Sequence, residues 1–412
     1  MCSLHYTFHS YNLLFTITFK YPLFDVTIEG GSMRKELLIK TLAIGVVVLF
    51  VGAGVVSALN VNLINQSKPL NNSSWLYVGG SGPGNYTFIQ SAIDDANPGD
   101  TIFVYDDSSP YYENIIIQKS LILIGENKET TVILGDEDSD GVIVNISADD
   151  VSFSGFTIEP HNGKPDGINV YKNYKYPDYW NIEIIQNITI FNNIIKKIYG
   201  AGIFGISLNN GSIYGNIIEN SYGSGVFLFI SSNNNITNNH IANCSYRGIE
   251  IDGLWSPFRF RNYISPVSEN NIISQNTIKS NRWGIGIHSG VINTKISDNN
   301  IISNDENGIQ LFQASKTEIT RNNFIDNSIN AYFIVVNIIR YPRFIQNSWD
   351  NNFWGEPKNI PVRINGTFWI LTFPRLPVGF DFPNFSLTQN ELPWIAFDWH
   401  PAKEPFNIQI KG

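Results

Sequence analysis

The sequence predicts an all-β chain wound as a right-handed parallel solenoid, and three observations carry that prediction. Of its 412 residues 43% are hydrophobic and only 15% charged, which is too apolar for a disordered chain, while scarce Ala, Leu and Glu argue against a helical bundle. Short Ile-rich segments recur between Gly and Asn with a period near 23, the length of one coil that buries its inward face on the next. Two independent markers keep that period. Asn193, Asn216, Asn239, Asn276, Asn300 and Asn323 step by 23, 23, 37, 24 and 23 residues. Gly167, Gly202, Gly225, Gly248, Gly284 and Gly308, with Ala331 in the next slot, step by 35, 23, 23, 36, 24 and 23. Both stretch between residues 248 and 276, so one coil carries an insertion there. A second insertion spans much of residues 159–181, between Phe156 in the earlier Asn slot and Asn193. Parallel crossovers wind right-handed, and stacked Asn at a corner can form amide ladders along the axis.

The elements follow in chain order. Residues 1–32 are Phe- and Tyr-rich without a clear period and read as an extension upstream of a natural start at Met33. Arg34, Lys35 and Lys40, the apolar run Leu42–Val56 and the small Ser57 and Ala58 make residues 33–59 an export signal. Val56-Ser57-Ala58 suits a signal peptidase, and the run to Leu59 is long enough to stay as a single membrane anchor; both readings stand. A linker over 60–74 leads to Phe88, Ile89, Ala92 and Ile93, whose helical spacing predicts a short helix capping the apolar end of the solenoid. The solenoid is assigned residues 75–355. Beyond Ile338 the period is lost, and five of the nine Trp (Trp349, Trp354, Trp369, Trp394 and Trp399) gather there. Residues 356–412 are therefore expected to form an irregular Pro- and Trp-rich cap or small module with its aromatics in a core.

Charge and Cys count narrow the function. A net charge of -9 leaves no phosphate-tracking surface, so nucleic acid is excluded as a partner. Past the signal the one remaining Cys, Cys244, fits an extracellular surface that does not depend on disulfides. Sequons such as Asn85-Tyr86-Thr87, Asn187-Ile188-Thr189 and Asn235-Ile236-Thr237 are compatible with glycosylation, although so Asn-rich a chain makes many by chance.

The segment from Trp75-Leu76-Tyr77-Val78-Gly79-Gly80 through Tyr86-Thr87-Phe88-Ile89-Gln90-Ser91-Ala92-Ile93, followed by Gly99-Asp100-Thr101-Ile102-Phe103-Val104 and Lys119-Ser120-Leu121-Ile122-Leu123-Ile124-Gly125, resembles the N-terminal cap and first coils of the right-handed parallel β-helix family. That family includes the NosD-type periplasmic proteins and many surface proteins, on the fold shared with pectate lyases. The resemblance covers about residues 75–355 and implies the fold. It is nearly silent on activity, because the family hosts lyases, hydrolases, epimerases, binding modules and structural spikes.

Side chains alternate in and out along a strand, so the first and third positions after each Gly face the core, and the second and fourth face solvent. The outward pairs are Asn169/Tyr171, Phe204/Ile206, Phe227/Phe229, Glu250/Asp252, Gly286/His288, Gln310/Phe312 and Phe333/Val335. Asp252 and His288 are thus expected to be neighbours in one column, with Glu250 beside them and Arg247 and Trp283 on one edge. The insertion that follows Asp252 carries Arg259 and Arg261 and reads as a cleft wall. Asp252, His288 and Glu250 form the candidate acid–base set. Arg247, Arg259, Arg261, Phe204, Phe227, Phe229 and Trp283 are the candidate substrate-binding set, with guanidinium groups for a uronate carboxylate and aromatic rings for sugar faces. The alternative is an ordinary ionic patch with aromatics packed beneath the insertions.

Three further motifs are weaker. Asp136, Asp138 and Asp140 in Asp136-Glu137-Asp138-Ser139-Asp140-Gly141 have the opening of a calcium loop, but its twelfth position is Ser147 where a bidentate Glu is needed. Glu159-Pro160-His161 faintly resembles the Asp-Pro-His triplet of β-helix alginate epimerases. Asp166-Gly167-Ile168 resembles a polygalacturonase segment whose companion motifs are missing. Copper handling lacks a Met cluster, Cys pair or His pair. The sequence therefore leads to an exported surface protein that binds polysaccharide along its outer face. A uronate-directed lyase, hydrolase or epimerase is the rival, and a purely structural envelope protein the third reading.

Overall fold

The computed structural model describes residues 4–10, 13–20, 23–29, 73–135, 141–173, 182–254, 267–338, 347–372 and 388–409. The chain divides into two compact units, Met1–Asn71 and Asn72–Gly412. In the first, Leu4–Ser10, Leu13–Lys20 and Leu23–Glu29 pair as an antiparallel three-stranded sheet, order that the aperiodic sequence of this stretch did not signal. The signal or anchor segment 33–59 lies outside the described residues. Among the described residues no helix is long and apolar enough to cross a membrane.

The second unit is a parallel β-helix with three faces. The first face runs through Ile115–Ile117, Val142–Ile146, Asp166–Val170, Ile203–Ile206, Val226–Phe229, Arg247–Asp252, Trp283–Ile287, Asn307–Phe312, Ile329–Ile338 and Val362–Thr372, each paired in parallel with the next. The second runs from Trp75–Val78 to Ser348–Asp350, and the third from Tyr111–Tyr112 to Asn323–Ile325. Inward side chains stack coil on coil: Val226, Leu228, Ile236 and Ile241 lie over Ile249, Ile251, Ile273 and Ile278, all fully buried. Each such side chain contributes roughly 1.5–3 kcal/mol on leaving water.

The corners explain the Asn content. In one coil Asn233, Asn238 and Asn243 take left-handed φ values of 59°, 57° and 56°, which a short amide side chain tolerates. Each is followed by a buried inward residue, Asn234, Asn239 or Cys244. Asn239 Nδ2 donates to Asn276 Oδ1 at 3.0 Å, and Asn216 Nδ2 donates to Asn239 Oδ1 at 3.0 Å. The ladder runs Asn193, Asn216, Asn239, Asn276, Asn299, Asn322 and Asn352. Phe156 begins it through its backbone N–H to Asn193 Oδ1, as its slot predicted. The rungs are Asn299 and Asn322, not Asn300 and Asn323. Both of those pairs are Asn-Asn, and the inward member of each turns its amide into the ladder.

The Gly slot has a steric cause. A Cβ on Gly248 would stand 2.9 Å from the Gly284 carbonyl oxygen and 2.5 Å from Ile278 Cγ2. In the last coil this slot is Asn330, whose carbonyl faces Gly308, and not Ala331. Ala331 pairs with inward Ile309, so Phe333 and Val335 point into the core and are buried, while Tyr332 and Ile334 take the outward places.

At the N-terminal end the helix Ile89–Asp95 buries Ile89, Ala92 and Ile93 over the first coil. Phe88, expected among them, is exposed at the N-cap position. Glu113 caps the helix in its place, its carboxylate accepting from the Ile89 and Gln90 N–H groups at 2.8 and 2.9 Å. At the other end Val362–Thr372 and Thr388–Asp398 form an antiparallel pair joined to the first face. Trp349 and Trp354 are core residues there, but Trp394 and Trp399, expected in a core, are exposed.

Candidate functional site

The outer side of the first face builds the site. Its register places Phe204, Phe227, Glu250, Gly286, Gln310 and Tyr332 in one column, and Ile206, Phe229 and Asp252 in the next. His288 continues that second column: Ile251 pairs with Ile287, and the His288 N–H donates to the Ile251 carbonyl at 2.9 Å. Asp252 and His288 are therefore one coil apart, as expected. Arg247 pairs with Trp283 on the edge of the same two coils.

Glu250 points outward yet is only 7% exposed. Arg247 Nη1 donates to its Oε1 at 3.0 Å, and Ser224 Oγ donates to its Oε2 at 2.8 Å. The Arg247 guanidinium is covered in turn by the Tyr246 and Trp283 rings, 4.3 and 5.0 Å from its Cζ, and Nη2 reaches Gln310 Oε1 at 3.3 Å. Gly286 makes this path available. A Cβ there would lie 2.5 Å from Arg247 Cδ and Nε and 3.0 Å from His288 Nε2, so the bare backbone is a notch that the Arg247 stem crosses. Arg247 Nε, His288 Nε2 and Trp283 Nε1 are buried at this place without hydrogen-bond partners.

Electrostatics separate the titratable groups. Burial pushes the Asp252 carboxyl up to about 7; the Gly253 N–H at 2.8 Å opposes this, the Glu250 charge adds to it, and Arg247 opposes it. Burial and then the Arg247 charge hold His288 down to about 3. Its Nε2 lies 3.8 Å from Glu250 Oε1, a contact of a neutral imidazole with a carboxylate and not an ion pair at neutral pH. Burial also raises Glu250, against Arg247 and the Ser224 hydroxyl. The arrangement thus holds one carboxylate clamped by a cation and a second carboxyl poised to exchange a proton near neutrality.

The aromatic residues flank this cluster. Phe204 and Phe227 stack with centroids 5.1 Å apart, Phe229 stands 6.4 Å from Phe227, and Phe312 lies 6.3 Å from the His288 ring. Ile206 is fully buried although it occupies an outward slot. Arg259 and Arg261 lie outside the described residues, as do Asp136, Asp138 and Asp140. Among the described residues no group of three His, Cys, Asp or Glu side chains could hold a metal ion. Gly286 and Gln310 were placed in the outward columns from the sequence but given no role, and Ser224 and Tyr246 were not singled out. Ser224 precedes its Gly just as Arg247 does, and that shared slot is the signal that could have found it.

The other motifs have structural explanations. Glu159 pairs with Lys196 and Lys197 at 3.6 and 3.3 Å, and His161 packs against Tyr112, on the third face and away from the acid–base cluster. Asp166 accepts from the Ala201 N–H at 3.1 Å and from Asn169 Nδ2 at 3.0 Å, which ties two coils together.

Residues 140–329 match the family described as a right handed beta helix region. Solved structures with a similar fold include the Azotobacter vinelandii mannuronan C-5 epimerase AlgE4 A-module, 15% identical with a TM-score of 0.49 over 68% of this chain and 83% of that one. The enzymatically active domain of bacteriophage CBA120 tailspike protein 2 is 14% identical with a TM-score of 0.47, over 73% and 43% of the two chains. The Dettilon tailspike protein is 16% identical with a TM-score of 0.45, over 68% and 62%. No curated protein matches the sequence.

Proposed function

We propose that this protein is an exported surface β-helix that binds polysaccharide along the outer side of its first face. The observation that carries the reading is the ring cluster of Phe204 and Phe227 in one outer column and Phe229 in the next, which adjoins Glu250 and Asp252 in the following coil, with Phe312 beyond His288. Aromatic faces take the apolar side of a sugar ring, and the adjoining polar groups take its hydroxyls. The test is retention of the full chain on immobilised polysaccharides. Phe227→Ala should weaken retention about tenfold, since a lost ring contact removes roughly 1–2 kcal/mol. Unchanged retention in that variant would remove the ring cluster from the site.

A second reading rests on Asp252. A carboxyl near 7 beside a neutral imidazole is suited to moving a proton to or from a sugar, as general acid in glycosidic cleavage or as base beside a carbonyl-activated C–H. This reading predicts new reducing ends or unsaturated products in the presence of the right polymer. Asp252→Asn would then stop turnover while retention persists. Calcium at Asp136, Asp138 and Asp140 enters the same assay as an arm with chelator. Retention without products assigns a binding module, and neither signal leaves a structural envelope protein.

A further inference from the structure

A column of exposed side chains at the corner leading into the first face contains a gap. Backbone hydrogen bonds between coils align Tyr199, Tyr222, Ser245, Arg282 and Asp305 there: the N–H of Tyr222 donates to the Ile198 carbonyl, that of Ser245 to Ser221, that of Arg282 to Cys244 and that of Asp305 to Asn281, at 2.8–3.1 Å. Tyr199 and Tyr222 stack with centroids 5.0 Å apart and planes 5° from parallel, and Lys164 Nζ lies 4.9 Å from the Tyr199 centroid. Tyr222 ends this stack. Tyr199 covers one of its faces, yet Tyr222 stays 63% exposed, so the face turned toward Ser245 is open to solvent. Ser245 is too small to cover it and is itself exposed. Beyond the gap stands Arg282, whose Nε donates to Glu306 Oε1 at 2.9 Å and whose guanidinium lies 4.1 Å over the Trp283 ring, which holds it at the far side.

The size and walls of the gap select its occupant. Two coils separate Tyr222 from Arg282, about 9.6 Å at the usual strand spacing. A ring touching both sides needs about 8–9 Å, twice the ordinary contact distance. The open Tyr222 face is apolar and electron-rich and suits the C–H face of a pyranose, while the Arg282 Nη groups are donors for its hydroxyls. The gap also adjoins the acid–base cluster. Tyr246, next to Ser245, covers the Arg247 guanidinium and meets the Trp283 ring at 5.2 Å, and Arg247 in turn clamps Glu250.

Resting on the polysaccharide reading above, we infer that the gap over Ser245 is a sugar subsite that seats one pyranose ring of the glycan between the open face of Tyr222 and the guanidinium of Arg282.

The test measures, by calorimetric titration of the full chain, the affinity for hexasaccharides of glucan, mannan, galactan and polyuronate, and carries the tightest of them into the variants. Tyr222→Ala should lose about tenfold in affinity, and Tyr222→Phe should stay within about threefold of wild type, because the ring face and not the hydroxyl is used. Ser245→Tyr fills the gap with a third ring and should also lose about tenfold, while Tyr199→Ala, which leaves the open face of Tyr222 in place, should stay within about threefold. Melting curves of each variant separate lost binding from lost folding, and if Tyr222→Ala does not fold, Ser245→Tyr decides. Full affinity in folded Tyr222→Ala or Ser245→Tyr overturns the inference and leaves the polysaccharide reading standing. Equal losses in Tyr199→Ala and Tyr222→Ala overturn it as well, since they assign the contact to the stack and not to the open face. A wild type that binds no hexasaccharide and is retained on no polysaccharide overturns both.

Discussion

Asn352 gives Asp398 two hydrogen bonds at once, from its backbone N–H at 3.0 Å and from its Nδ2 at 3.1 Å, and so ends the amide ladder on a carboxylate. Every rung from Asn193 onward donates its amide toward the next coil, so the ladder presents its donor end to Asp398, as a helix N-terminus presents N–H groups to an anion. Trp354 Nε1 adds a third donor at 3.0 Å. Asp398 is fully buried, and these donors stand where water would otherwise solvate it.

Asp398→Ala should therefore be among the most damaging single changes in the C-terminal region. It strands three buried donors, and a loss of about 3–5 kcal/mol is expected by denaturant unfolding. Asp398→Asn can turn its carbonyl toward Asn352 and should cost about half as much. Equal stability of Asp398→Ala and wild type would mean the strand Thr388–Asp398 does not close the ladder in solution.

A rung in the middle of the ladder tests whether the corner amides hold the coils. Asn239 Nδ2 donates to Asn276 Oδ1 and to the Ile213 and Thr237 carbonyls, and its Oδ1 accepts from Asn216. Asn239→Ala should cost about 2–4 kcal/mol, while Asn233→Gly, which removes a rung of the exposed outer ladder and still accepts the left-handed φ of 59°, should cost under about 1 kcal/mol. Similar costs at the two positions would refute a special role for the buried amides.

Arg247 and Glu250 form a buried pair whose separation exposes the stranded partner. Arg247→Met leaves the Glu250 carboxylate with only the Ser224 hydroxyl and should destabilise by about 3 kcal/mol. Arg247→Met combined with Glu250→Gln should recover most of that loss. A double-mutant cycle showing no coupling would place the pair in solvent.

Stability against pH carries two opposed contributions. Asp252 is raised from 3.8 to about 7 in the fold, so between about pH 4 and 7 the native state holds more protons and this group's contribution falls as pH rises. His288 is lowered from 6.5 to about 3, so its contribution rises with pH between about 3 and 6.5. Wild type should be nearly flat from these two groups between about pH 4 and 6.5. Asp252→Asn should make stability climb with pH across that window, and His288→Phe should make it fall up to about pH 7. Urea midpoints read every half pH unit would show it, and identical slopes in the two variants would contradict the buried environment of the site.

The period of 23, the insertions and the column pairing of Asp252 with His288 were legible, because parallel coils in register turn sequence spacing directly into spatial neighbours. The exact rungs were less so. Asn299-Asn300 and Asn322-Asn323 look alike in composition, and only the hydrogen bonds say which member faces inward. Ala331 looked like the occupant of the Gly slot in the coil after Gly308, yet the chain reaches that slot one residue sooner, at Asn330. Phe88 fitted the apolar spacing of the cap but falls before the first helical turn, where its side chain stays in water.

By itself the sequence determined the solenoid, since a repeat that buries one stripe of Ile per coil has few other ways to stack, and it placed the outer columns correctly from Phe204 to Phe312 but not in the next coil, where Tyr332 and Ile334 take the outward places instead of Phe333 and Val335. Tertiary structure decided their chemistry. Whether Glu250 is a free surface acid or a clamped buried one depends on where Arg247 travels, and that path exists because the neighbouring coil has no side chain at Gly286. Protonation states follow from burial and from the charges across coils, quantities that belong to the packed solenoid and to no single strand.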